Sequence, residues 1–189
     1  MHDRRVRPTR ADLAAAYDAT IPDLVGPGLR VLLVGINPSL YSGWTGLHFA
    51  RPGNRLWRTL HEAGFTARQF DPSETGELLA AGIGITNVVP RATARADELT
   101  VEEIRTGVEP LRRLVRKHRP PHVAFLGIST YRIAFGQPRA GVGEQPGGLL
   151  EGARVWVLPN PSGLNASYQQ AALTAAYRQL REAAGPPVS

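Results

Sequence analysis

Four short, mostly apolar runs punctuate the chain, at residues 30–36, 83–88, 122–127 and 154–158. The clearest are Val-Leu-Leu-Val-Gly-Ile over 31–36 and Val-Trp-Val-Leu over 155–158. Continuous runs rich in β-branched residues suit strands buried on both faces, as in a parallel sheet. Helical spacing fills the intervals. A helix is expected across 10–19, started by Thr9 or Asp12, and another across 55–63, capped by Asn54 and stopped at Gly64. Thr100 with Glu103 forms a capping box that opens a long amphipathic helix to about Lys117, where Pro120-Pro121 ends it. Short helices fit 73–81 and 129–135, and a last one runs from about Tyr168 to Ala184. Gly141 to Pro146 reads as a flexible loop. Strands alternating with helices predict an α/β fold, a three-layer α/β/α sandwich around a central, mainly parallel sheet of four to five strands. The pattern implies one domain over 10–184, a flexible basic arm over 1–9 and a disordered tail over 185–189.

Two of the runs end in the same tripeptide. Residues 31–36 lead into Asn37-Pro38-Ser39, and 155–158 lead through Pro159 into Asn160-Pro161-Ser162. Proline cannot continue a buried strand and pushes the residue before it into extended geometry. Each asparagine therefore belongs where a strand stops. In open parallel sheets that carboxyl edge is where ligands bind. The chain thus aims two uncharged amides, from opposite ends of its sequence, at one crevice.

Composition narrows the chemistry. Cysteine is absent, which excludes disulfides, thiol nucleophiles and cysteine-ligated clusters and suits a cytosolic, here cytoplasmic, chain. No apolar stretch approaches a membrane span, and the basic start, Met1 to Arg7, has no apolar segment behind it, so neither a signal peptide nor a membrane partner is expected. The net charge of +6 favours a polyanion such as nucleic acid. Lys117 is the only lysine, which leaves few candidates for a Schiff-base mechanism. The histidines show no metal spacing, the carboxylates do not cluster as ligands, and no phosphate-binding glycine loop is present, so no metal and no cofactor are expected.

An amide takes no proton at neutral pH, but it accepts a hydrogen bond from water and orients it. A site that works by positioning alone needs an electrophile that forms easily and a good leaving group. Cleavage of a glycosidic bond through an oxocarbenium-like state fits when the departing base leaves as a stabilised anion, as uracil does. Between Tyr41 and Phe49, glycines free backbone amides for carbonyl oxygens and Phe49 offers a face on which a flat ring stacks. After the second tripeptide, Gly163-Leu164-Asn165 puts an apolar side chain on a turn, where it serves as a wedge into a base stack. Arg51, Arg55, Arg58, Arg91 and Arg95 are candidate phosphate contacts. A non-catalytic mismatch- or lesion-binding protein would use the same pocket and wedge.

Gly35-Ile36-Asn37-Pro38 and Asn160-Pro161-Ser162-Gly163-Leu164 resemble the two signature motifs of the mismatch-specific uracil-DNA glycosylase family, which includes the thymine-DNA glycosylases. The resemblance continues through Phe49 to Trp57 and Gly64-Phe65-Thr66, and covers roughly residues 25–183. It implies the uracil-DNA glycosylase fold, a monomer acting on double-stranded DNA, and removal of uracil or thymine opposite guanine in base excision repair. By the same resemblance Asn37 positions the water and Phe49 stacks on the flipped base. Ile36, Ser42 and Asn160 match positions at the base pocket, and Gly163 and Leu164 match the intercalating loop; Ser39 beside the pocket and Ser162 and Asn165 in the DNA-binding wedge loop complete the candidate site. The chain departs from the family pattern in having Ser39 where glycine is usual, and Asn165-Ala166 where Ser-Arg is usual.

Overall fold

The computed structural model describes residues 7–186. Its centre is a five-stranded sheet: β1 (Val31–Gly35), β2 (Ile83–Asn87), β3 (His122–Leu126), β4 (Gly143–Leu150) and β5 (Ala153–Leu158), in the order β2-β1-β3-β5-β4. The β2-β1-β3-β5 pairings are parallel, and β4 runs antiparallel to β5 at the edge. Along β1 alternate residues enter opposite cores. Val31 and Leu33 join Leu56, Trp57, Leu60, Leu173 and Tyr177 on one face. Leu32 and Val34 join Leu111, Val115 and Tyr131 on the other. Helices therefore cover both faces, and the expected three-layer α/β sandwich is what forms.

The helices are α1 (Arg10–Ala15), α2 (Leu40–Thr45), α3 (Leu56–Glu62), α4 (Thr75–Ala80), α5 (Val101–Thr106), α6 (Val108–His118), α7 (Ile128–Phe135) and α8 (Gln170–Ala184). Three features depart from the sequence reading. The helix expected over 100–117 opens with the capping box of Thr100 and Glu103 but divides at Gly107. Pro110 has no N–H for the carbonyl of Thr106, and restarting at Val108 moves it into a first turn, where proline is tolerated. A Cβ on Gly107 would lie 2.1 Å from the carbonyl oxygen of Val88, so only glycine permits the close approach. The expected flexible loop at 141–146 instead enters β4. An edge strand accommodates Pro146 within the register shift between Glu144 and Leu149, and Arg154 grips Glu144 bidentately across the pair. Helix α2, capped by the Ser39 hydroxyl, occupies a stretch read only as glycines and aromatics.

The expected arm over 1–9 and tail over 185–189 lie largely outside the described residues. Within them Thr9 caps α1 in a capping box with Asp12, and Arg30 Nη1 donates to the carbonyls of Gly185 and Pro186. Among the described residues no helix is long and apolar enough to cross a membrane.

Candidate active site

A cavity of about 420 Å³ opens at the carboxyl edge of the sheet, and Asn37 and Asn160 both line it. Ile36, Ser39, Ser42, Phe49, Ser162 and Leu164 line it as well. Gly163 faces an adjoining hollow of about 260 Å³ between residues 51–54 and 162–164. Asn165 lines neither cavity. Its Nδ2 donates to the carbonyl of Asn160, 2.9 Å away, and its Oδ1 accepts from the Ser167 amide, so it shapes the loop.

The two asparagines present opposite ends of their amides. Beyond β1 and β2 the parallel neighbours stay together: the Val88 and Val89 amides donate to the carbonyls of Gly35 and Ile36, and Thr93 N donates to Pro38 O. This extension brings residues 91–95 beside Asn37. Asn37 Nδ2 donates to the Arg91 carbonyl at 3.0 Å and to Thr93 Oγ1 at 2.8 Å. A carbonyl only accepts, and the single Thr93 proton is spent on the Arg95 carbonyl at 2.7 Å, so the amide cannot be turned round. Asn37 Oδ1 is the half left for a ligand or a water. At Asn160 the roles reverse. Its Oδ1 accepts from the Ser162 amide at 2.9 Å, closing a local turn, and Nδ2 is the half left over. One edge of the cavity thus offers an acceptor and the other a donor.

The aromatic and hydroxyl groups are fixed in turn. Phe49 adopts a left-handed backbone, φ 50°, while the indole of buried Trp57 donates to its carbonyl at 3.3 Å. Ser39 Oγ accepts from the Ser42 amide and donates to Ser42 Oγ at 3.3 Å. His48 is buried, with Nε2 2.9 Å from the Pro22 carbonyl. That nitrogen must carry the hydrogen. Burial holds the imidazole below its usual value, outweighing the Pro22 carbonyl and Asp23, so His48 is neutral at pH 7.

Sequence reasoning missed several lining residues, the polar Asn87, Thr93 and Asp97 among them. Asn87 ends β2 directly beside Gly35 of β1, and a Cβ on Gly35 would lie 2.4 Å from its Oδ1 and 3.1 Å from Phe49 Cζ. An asparagine ending a buried strand was the signal available, but no proline follows to mark it. Asp97 sits on an exposed turn at the rim and pairs with Arg95. Among the described residues no cluster of His, Cys, Asp or Glu could hold a metal ion.

The five candidate phosphate arginines divide. Arg58 pairs with Glu62, Arg91 with Glu103 and Asp18, and Arg95 with Asp97. Arg55 turns inward to backbone carbonyls of residues 162–168. Arg51 lines the cavity, exposed, with no ion pair among the described residues, and is the one of the five free to meet a phosphate.

A parallel sheet whose carboxyl edge holds a cleft walled by amides, hydroxyls and one phenyl ring, with Arg51, Arg95 and Asp97 among its lining, has the α/β architecture in which ligands bind beyond the strand ends. Residues 22–181 match the Uracil DNA glycosylase superfamily, and the chain belongs to that superfamily. The solution NMR structure of a protein from Methanosarcina acetivorans, provisionally assigned as a uracil DNA glycosylase, superposes with a TM-score of 0.60 at 18% sequence identity. The match covers 86% of this chain and 98% of that one, and shows a shared fold. Membership of the superfamily supports a DNA glycosylase activity in general terms.

Proposed function

We propose that this protein is a monofunctional DNA glycosylase of the mismatch-specific type. It takes uracil, and related bases opposite guanine, out of duplex DNA and hydrolyses the N-glycosidic bond. The observation that carries this reading is the fixed polarity of Asn37, whose Nδ2 is committed to Arg91 and Thr93 while Oδ1 is left to a cavity shared with Phe49. Oδ1 accepts a hydrogen bond from a water and directs its oxygen at C1′. The C1′–N1 bond breaks with its electron pair leaving on the base, the water oxygen bonds C1′, and the water's spare proton passes to solvent while the departing base gains one. Donors already in place stabilise the developing charge, Asn160 Nδ2 among them. Lysine scarcity argues against a lyase step. Arg51 meets the phosphates, and Leu164, 77% exposed, enters the stack.

The test is base release from a uracil-containing duplex, read as alkali-sensitive strand cleavage. Wild type is expected to cleave and Asn37→Ala to lose nearly all activity at unchanged DNA affinity. Tight mismatch binding without turnover, unaffected by Asn37→Ala, would establish the sensor reading instead.

A further inference from the structure

We propose that Arg55 is the positioning residue of the wedge, a cationic clamp that holds the 159–169 loop in the shape that presents Leu164 to DNA. The inference rests on the glycosylase reading for its functional half only. The loop has no regular secondary structure and carries an apolar side chain that is 77% exposed. Water disfavours that arrangement, so a slack loop would fold Leu164 inward. Arg55 prevents this from one point. Its backbone amide donates to the Pro161 carbonyl at 2.9 Å, Nη1 to Tyr168 O at 2.7 Å, and Nη2 to Ser162 O and Asn165 O at 3.0 Å each.

No carboxylate pairs with this guanidinium among the described residues: its two terminal nitrogens bond backbone carbonyls, while Nε is buried without a partner. Charge-assisted bonds are the stronger kind, and the planar fork reaches carbonyls that a lysine ammonium could not reach together. The clamp is also anchored. Arg55 directly precedes Leu56 and Trp57, which are buried in the core below the sheet. Behind the wedge, a Cβ on Gly163 would lie 2.6 Å from Gly53 O, so the loop sits hard against residues 51–54.

The experiment compares full-length wild type, Arg55→Lys, Arg55→Gln, Leu164→Ala and the Arg55→Gln/Leu164→Ala double variant. Amide hydrogen exchange without DNA should speed up at least ~10-fold across 162–168 in Arg55→Gln, and less in Arg55→Lys, while the core strands stay protected. Single-turnover base release from the duplex that wild type cleaves fastest should fall ~10–100-fold in Arg55→Gln, the range expected for lost charge-assisted bonds. In the Leu164→Ala background the same substitution should cost less than ~2-fold, because a residue that acts through the wedge has nothing left to position. Unchanged loop exchange, or a full additional loss in the double variant, overturns the clamp. Absence of base release by wild type from every duplex tried sinks the glycosylase reading instead, and the exchange measurement still decides whether Arg55 holds the loop.

Discussion

Replacing Thr93 with valine tests the polarity argument at its weakest link. The swap keeps the side chain's shape, so no cavity opens, and removes one hydroxyl that accepts from Asn37 at 2.8 Å and donates to Arg95 O at 2.7 Å. Thr93 is buried, but both partners border an open cavity where water can replace part of what is lost. Two bonds at about 1 kcal/mol each, partly replaced, give a stability loss of about 1–2 kcal/mol. For a domain of this size that lowers the melting temperature by about 3–6 °C. Asn37 keeps its bond to the Arg91 carbonyl, which still disfavours the flipped amide, but loses the second of the two contacts that set its direction. Releasing about 1–1.5 kcal/mol of orientational bias slows the chemical step about 10-fold and leaves KM nearly unchanged. Single-turnover kinetics with melting curves for wild type, Thr93→Val and Thr93→Ser measure both effects, and the serine variant should recover most of the rate. A Thr93→Val enzyme with wild-type kcat, or one whose whole defect sits in KM, would refute the reasoning.

Two further outcomes follow from the packing. Glu62 accepts from Arg58, Gln170 and Thr174, which together hold its carboxyl at about 2 rather than 4.5, with Arg58 the largest cause. The folded state favours the ionised form, so this stabilisation is complete above the ordinary glutamate value and fades as pH falls from about 4.5 towards 2. Glu62→Gln should cost about 1–2 kcal/mol at pH 7, less than the full shift converts to because the side chain is 31% exposed, and urea titrations should show the gap narrowing below about pH 4.5 and closing towards pH 2. In Gly35→Ala the new methyl must displace Asn87 and the Phe49 ring, costing about 1–3 kcal/mol of stability, and activity should fall more than stability because both displaced groups wall the pocket. Wild-type turnover in that variant would place the base elsewhere.

The sheet and its two terminal asparagines were legible because β1 and β5 are buried on both faces, so their composition reports their environment directly. Superfamily membership, likewise, was carried by motifs that are contiguous in sequence. What escaped was set by tertiary contact. Edge strand β4 needs partners on one side only and so keeps glycines and Pro146 that mimic a loop. Thr93 lies 56 residues from Asn37, and nothing in Ala92-Thr93-Ala94 marks it as more than a polar residue in a turn. The arginines look alike in sequence. Only the fold separates Arg51, left free at the rim, from Arg91, consumed by Glu103, and from Arg55, turned inward.

The acceptors packed behind Asn37 also constrain how this enzyme can evolve. A single-base route from asparagine to aspartate exists in the genetic code, and a carboxylate would offer a true proton acceptor. Yet Asn37→Asp would set an anionic oxygen about where the amide nitrogen lies, 3.0 Å from the Arg91 carbonyl, lone pair against lone pair. The Thr93 hydroxyl could relieve this only by abandoning Arg95. A carboxylate at this strand end is therefore opposed by the groups packed behind it, and Asn37→Asp is expected to lose stability unless those groups change as well.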